Sequence, residues 1–154
     1  MVKTFRKKNY HATTRKNVVN RNRSLYTEFQ KQITIQFFEM LLLIKLYHWK
    51  THCYATHKAT DELYGKFNEH MDHFMEVLLG KSQIRMDLMN QKHIPLIDLN
   101  SKEKLIDKVN NFKSYLVRLT NNKLMSLKEN SDLLNIRDEI LGDMNQFLYL
   151  LSLD

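Results

Sequence analysis

Apolar side chains recur every three to four residues in four stretches of the chain, which is the spacing of one buried helix face. The four sets are Phe29, Ile33, Phe37, Leu41 and Ile44; Leu63, Phe67, Met71, Phe74 and Leu78; Leu105, Ile106, Val109, Phe112, Leu116 and Leu119; and Leu134, Ile140, Met144, Phe147, Leu148 and Leu151. The 154 residues include only three glycines and one proline, too few turn formers for a many-stranded sheet. The sequence therefore predicts an all-α fold.

Helix-capping residues predict the boundaries of four helices. The predicted starts are Ser24 or Thr27, Thr56, Ser101 and Ser131, and the predicted ends are Trp49, Leu79 with Gly80 behind it, the segment "TNNK", and Leu153. Residues 81–100 then form one long connection between the second and third helices. Such a long link in the middle of the chain is typical of a ferritin-like four-helix bundle, in which it crosses the length of the bundle.

The positive charge of the chain is concentrated at its N-terminus. Residues 1–24 contain no acidic residue and eight basic ones, namely Lys3, Arg6, Lys7, Lys8, Arg15, Lys16, Arg21 and Arg23. This segment also lacks apolar periodicity, so we expect a flexible basic arm over residues 1–24 and a bundle domain over residues 25–154. The arm is suited to the phosphates of nucleic acid. The alternative is a solvated tail, or an arm for some other acidic partner.

Several classes of protein are excluded by the sequence. The most apolar run, "ITIQFFEMLLLIKLYHW", is interrupted by Gln36, Glu39 and Lys45, whereas a membrane-spanning helix needs about 20 mostly apolar residues. Cys53 is the single cysteine and cannot form an internal disulfide, and no apolar stretch follows the basic N-terminus as in a signal peptide. We therefore expect an intracellular protein of the cytoplasm or nucleoid. P-loop, dinucleotide-binding and nucleophile-elbow motifs are absent from the sequence.

The second predicted helix carries two polar pairs with i, i+4 spacing, His57 with Asp61 and Asp72 with Glu76. Asp61 and Asp72 are separated by about three helical turns plus ~20°, so both pairs lie on one side of the helix but about 16 Å apart along it. Carboxylates coordinate metals at only ~2.0–2.6 Å, so one helix cannot bring both pairs to one ion. Taken singly, each pair is also compatible with an ordinary solvated stripe.

An antiparallel second copy of this helix, related by a two-fold axis, brings the two pairs together. His48, near the end of the first helix, joins the first pair if the two helices form an antiparallel hairpin. The predicted site then consists of His48, His57 and Asp61 from one chain and Asp72 and Glu76 from its partner. A mixed set of imidazole and carboxylate donors suits iron, and zinc and manganese are the alternatives. Two equivalent sites per dimer are expected.

With these residues the sequence resembles the Dps-like mini-ferritins, the DNA-binding proteins of starved cells. The matching features are His48–Trp49, the spacing His57-x3-Asp61-x10-Asp72-x3-Glu76, and the Leu-rich ending "DEILGDMNQFLYLLSL". The resemblance extends from Thr27 to Leu153. It implies ferroxidase ligands shared between two subunits, iron oxidation by peroxide or oxygen, iron storage, a hollow dodecamer and protection of DNA from oxidative damage.

Two functions remain open at this point. The first is that of an iron-oxidising mini-ferritin whose basic arm binds DNA. The second is a structural or DNA-packaging role on the same bundle without redox chemistry. The short link between the first two helices and the basic arm are similar to ferritin-like proteins of large DNA viruses, which makes the virion a further location to consider. No Glu-x-x-His occurs in the chain, which argues against a di-iron site inside a single bundle.

Overall fold

The structure is a computed structural model that describes the backbone of residues 10–153 and the side chains of residues 23–153. Four α-helices make up most of it: α1 (Tyr10–Lys50), α2 (Tyr54–Ser82), α3 (Lys102–Arg118) and α4 (Ser131–Leu151). Two short 3₁₀ turns, Leu119–Asn121 and Lys128–Asn130, lie between α3 and α4. The predicted all-α class and the predicted number of long helices are confirmed.

Contacts between helix ends define the direction of each helix. His48 near the end of α1 packs against His57 near the start of α2, and the side chain of Gln30 donates to the Ser82 hydroxyl at 2.8 Å. α1 and α2 are therefore antiparallel. α4 is antiparallel to α2, since Lys66 pairs with Asp143 and Lys81 pairs with Asp132.

The connection between α2 and α3 runs along the bundle. It leaves α2 at Ser82, and near its other end Asp98 accepts from Lys50 at 2.8 Å, at the opposite end of α1. Lys102, the first residue of α3, donates to the carbonyl of Leu151 at the end of α4. The predicted long crossover is thus present, and it makes α3 run in the same direction as α2.

The centre of the bundle is an aromatic cluster. Phe37 of α1 makes edge-to-face contacts with Phe67 and Phe74 of α2, with ring centroids 5.7 Å and 5.4 Å apart. Phe112 of α3 completes the cluster, 5.6 Å from Phe67. Burial of each ring stabilises the fold by about 1.5–3 kcal/mol, and edge-to-face pairs add about 0.5–1.5 kcal/mol. The cluster therefore holds three helices in one register.

The first helix begins earlier than predicted. α1 is helical from Tyr10 rather than from Ser24 or Thr27, so residues 10–24 of the segment expected to be a flexible arm have a helical backbone. Residues 1–9 lie outside the described part of the chain. Among the described side chains, Leu25 and Tyr26 are the first to pack against the core. The absence of apolar periodicity before residue 25 therefore did not mark the start of the helix.

Two further helix ends differ from the prediction. α2 continues through Gly80 to Ser82, and Gln83 adopts the left-handed conformation (φ 52°) that closes the helix, with its N–H donating to the Leu79 carbonyl. Its N-terminus follows Cys53, and Thr56 lies inside the first turn. By contrast, Ser101 caps α3 as predicted, because its hydroxyl accepts from the Lys104 N–H.

α1 is apolar on more than one side. Ile33, Phe37 and Ile44 face the core, whereas Phe38 and Trp49 are exposed. Within the described residues, no helix combines the length and the apolarity needed to cross a membrane.

Candidate metal centre

A tight turn between α1 and α2 brings three of the five predicted ligands together. Residues 51–53 form the link, and the rings of His48 and His57 stack with centroids 4.0 Å apart. Nε2 of His48 lies 3.7 Å from a carboxylate oxygen of Asp61. The short link therefore leaves His48 next to the first polar pair of α2. We call His48, His57 and Asp61 the histidine half-site.

The two histidines are held by reciprocal hydrogen bonds. Nδ1 of His48 donates to the carbonyl oxygen of His57, and Nδ1 of His57 donates to the carbonyl oxygen of His48, each at 3.1 Å. A carbonyl oxygen only accepts, so both Nδ1 atoms carry a proton, and the neutral form of each ring then has its lone pair on Nε2. Metal-ligating histidines in proteins are oriented in this way, with the other ring nitrogen donating to a backbone carbonyl.

Two residues of this region were not predicted from the sequence. The Thr60 hydroxyl, fully buried, lies 3.3 Å from Nδ1 of His48. The ammonium group of Lys45 lies 3.9 Å from Asp61 and 4.4 Å from the centre of the Tyr64 ring. The proximity of Lys45 to this region could have been predicted from helical spacing, because Lys45 precedes His48 by three residues and so lies one turn away.

Burial raises the pKa of a tyrosine that precedes His48 of the histidine half-site. Tyr47, on α1, is buried as part of the hydrophobic core. Burial is the main cause that raises the pKa of its phenol, and the nearby Glu103 carboxylate raises it further. The phenol therefore stays protonated and neutral at physiological pH.

The other two predicted ligands, Asp72 and Glu76, lie elsewhere on α2. Both are exposed, with Glu76 one turn beyond Asp72. They are about 16 Å further along the helix axis than the histidine half-site, on the same side of α2. Among the described residues of one chain, no group of three His, Cys, Asp or Glu side chains is arranged to hold a metal ion. We call Asp72 and Glu76 the carboxylate half-site.

The remaining described histidines have other surroundings. Nε2 of His70 lies 2.9 Å from Asp143 and its Nδ1 lies 3.5 Å from Glu139, so this ring joins α2 to α4. His52, His73 and His93 are exposed. The predicted DNA-binding residues Lys3, Arg6, Lys7, Lys8, Arg15, Lys16 and Arg21 lie outside the described side chains, and Arg23 is exposed.

Comparison with known protein families gives one match. Residues 48–151 match the model of a family of unknown function, DUF5856. The chain belongs to this family. The DUF5856 match begins at His48 and includes all five predicted metal ligands, whereas residues 1–47, with the basic segment, lie before it. No curated protein and no solved structure is significantly similar to the chain.

Proposed function

We propose that this DUF5856 protein is a Dps-like ferroxidase and iron-storage protein, built on a ferritin-like bundle, that protects DNA from oxidative damage. The observation that carries the proposal is the reciprocal hydrogen bonding of His48 and His57, which makes Nε2 the lone-pair nitrogen in the neutral form of each ring, with Nε2 of His48 next to Asp61. Two oriented imidazoles beside a carboxylate are suited to a borderline cation such as Fe²⁺. With Asp61 as its one carboxylate, the half-site lacks the further negative charge that stabilises Fe³⁺.

The carboxylate half-site of a second copy supplies that charge in the proposed dimer. Both half-sites lie on one side of α2, so two copies of α2 placed antiparallel about a two-fold axis set His57 opposite the partner's Glu76 and Asp61 opposite the partner's Asp72. The partner's two carboxylates then neutralise the cation held by the imidazoles. Each dimer would have two such sites.

The proposed reaction oxidises iron, which is the substrate. Two Fe²⁺ ions each lose one electron to hydrogen peroxide, and with two protons the peroxide becomes two water molecules. The carboxylates Asp61, Asp72 and Glu76 favour the product because they interact more strongly with Fe³⁺ than with Fe²⁺. Consuming peroxide together with Fe²⁺ removes both reactants of hydroxyl-radical formation, which is the chemical basis of DNA protection.

The direct test is iron oxidation by variants of each half-site. We expect wild-type protein to oxidise Fe²⁺ with peroxide much faster than His57→Ala or Asp72→Ala, because each variant removes one ligand of the shared site. The formation of Fe³⁺ is followed by absorbance, and circular dichroism verifies that each variant is folded. His52→Ala, a change at an exposed histidine outside both half-sites, is the matched control and should keep the wild-type rate. Equal rates in all four proteins would rule out the proposed site.

The basic N-terminal segment is proposed to hold DNA. Because α1 begins at Tyr10, deleting residues 1–24 would also shorten a helix, so replacing the eight Lys and Arg residues of this segment by Gln is the cleaner change. Wild-type affinity for duplex DNA should fall steeply with salt, with a logarithmic slope of about −0.9 per neutralised phosphate. The variant should bind weakly and with little salt dependence in the same titration.

A matched control for DNA binding uses exposed basic residues of the bundle. Replacing Lys108, Lys123 and Lys128 by Gln lowers the net charge without touching the N-terminal segment. This variant should keep most of the wild-type salt slope. If it instead loses as much affinity per removed charge as the N-terminal variant, binding is a property of net charge and the N-terminal segment has no special role.

A second candidate function is favoured by the position of Lys45. Its ammonium group, 3.9 Å from Asp61, gives that carboxylate a cation of its own. The same bundle then serves as a structural or DNA-packaging protein without redox chemistry. Elemental analysis of purified protein, together with light scattering, separates the two candidates. A DNA-binding oligomer that takes up no iron when supplied with Fe²⁺ supports the second.

A further inference from the structure

An apolar groove opens between α1 and α2 beside the carboxylate half-site. It is lined mainly by Phe37, Phe38, Met71, Met75, Leu79 and Met86, has a volume of ≈ 240 Å³, and has Asp72 and Glu76 at its margin. We call it the methionine groove. An apolar cavity of about 150 Å³ accommodates a benzene ring, so this groove has room for a larger aromatic side chain.

The sulfur atoms of the methionine groove are not engaged by strong hydrogen bonds. The sulfurs of Met86 and Met75 lie 3.0 Å and 3.7 Å from the hydroxyl oxygen of Thr34. That hydroxyl has one proton, and the carbonyl of Gln30 lies 2.7 Å from it as the stronger acceptor. The thioethers therefore present a polarisable, weakly hydrated surface, of the kind that contacts aromatic rings favourably.

A large aromatic side chain is exposed near the end of α1. Trp49, the single tryptophan, is 70% exposed. The ammonium group of Lys45 lies 5.9 Å from the Trp49 ring and also contacts Asp61, so Trp49 lies beside the histidine half-site. Exposed tryptophan is enriched among the residues that dominate protein–protein binding energy.

From these features we infer that the methionine groove of each subunit receives Trp49 of the partner subunit. Trp49 follows His48, which packs against His57 and is therefore level with it. The proposed two-fold axis sets His57 opposite Glu76. The partner's Trp49 then comes level with Glu76 and its neighbour Met75, at the methionine groove.

Charge complementarity selects a second copy of this chain as the occupant. Each subunit carries the cation Lys45 beside Trp49 and the anions Asp72 and Glu76 beside the methionine groove. When Trp49 of one subunit enters the methionine groove of the other, antiparallel pairing also brings Lys45 of the first subunit towards the two carboxylates of the second. The two-fold symmetry repeats this contact, so both exposed tryptophans and both grooves are covered.

This inference rests on the antiparallel dimer of the proposed function, but not on iron chemistry. Its test is therefore made with metal-free protein, by the fluorescence of Trp49. In the dimer the emission should shift to shorter wavelength and acrylamide quenching should weaken, and both changes should reverse when dilution dissociates the protein. Met86→Gln makes the groove polar and should return emission towards that of exposed tryptophan. Met86→Leu keeps the groove apolar and should behave like wild type.

Disulfide trapping gives a second readout that does not depend on fluorescence. In a Cys53→Ser background, Trp49→Cys combined with Met86→Cys should form a covalent dimer on mild oxidation. Within one chain this bond is excluded, because Thr34, which contacts Met86, is about 22 Å along α1 from Trp49 and a disulfide needs Cα atoms within about 7 Å. Trp49→Cys with Met89→Cys is the control, since Met89 is 88% exposed and does not line the groove. It should stay monomeric under denaturing conditions.

The outcomes separate this inference from the proposed function. Iron oxidation that depends on His57 and Asp72, with Trp49 still exposed in the oligomer, overturns the inference and leaves the function standing. A buried Trp49 and the expected cross-link, without iron oxidation, support the interface and overturn the function. A protein that stays monomeric, or a groove that binds an apolar dye in the intact oligomer as well as in the dissociated chain, also overturns the inference.

Discussion

Two inactive variants should restore iron oxidation when their subunits are exchanged. The first variant combines His57→Ala with Asp61→Ala, and the second combines Asp72→Ala with Glu76→Ala. A mixed dimer pairs the intact histidine half-site of the second with the intact carboxylate half-site of the first, so one of its two sites is complete. After unfolding and refolding together in equal amounts, about a quarter of the wild-type rate should return, because about half of random dimers are mixed and each has one site.

The control for this experiment mixes two variants damaged in the same half-site. His57→Ala refolded with the Asp61→Ala variant has no complete site in any pairing, so the rate should stay at the level of either variant alone. Light scattering verifies that every mixture forms the same oligomer. If the complementary mixture is no faster than this control, the metal site does not lie between subunits, however rapidly the wild type oxidises iron.

Truncating Phe67 should destabilise the fold more than any surface substitution. Its ring is 1% exposed and touches Phe37 of α1 and Phe112 of α3. Phe67→Ala removes buried surface and leaves a cavity between three helices, for which we expect a loss of about 3–5 kcal/mol in the free energy of unfolding. Urea denaturation followed by circular dichroism measures this loss, at one fixed protein concentration because the proposed dimer would make stability depend on concentration.

Two further variants serve as controls for Phe67→Ala. Phe67→Leu keeps most of the volume and should cost less than Phe67→Ala, since apolar substitutions that preserve volume are tolerated best. Tyr149→Ala, at a side chain that is 63% exposed, should change the free energy of unfolding by no more than about 0.5 kcal/mol. Similar losses at Phe67 and Tyr149 would contradict the assignment of the aromatic cluster as the centre of the core.

The core was predictable because helical periodicity reports burial directly. Phe29, Ile33, Phe37, Leu41 and Ile44, the set predicted for the first helix, are all buried. Periodicity did not reveal the start of α1 at Tyr10, because residues 10–24 carry no apolar repeat in the sequence. Gly80 was read as a helix end, yet it lies inside α2 and Gln83 takes the left-handed conformation instead. Backbone preference at one residue is weaker than the packing of a whole helix.

By itself the sequence determined the all-α class, the four helices, the long crossover and the placement of the pairs His57–Asp61 and Asp72–Glu76 along α2, because these depend on spacing along the chain. Only the tertiary structure decided how the α1–α2 turn folds. In the folded chain His48 stacks on His57, and the Nδ1–H of each ring donates to the carbonyl of the other residue. Lys45 lies beside Asp61. Contacts between helices depend on the turn conformation and on side-chain rotamers, and neither follows from periodicity. The methionine groove likewise exists only once α1, α2 and Met86 of the crossover come together.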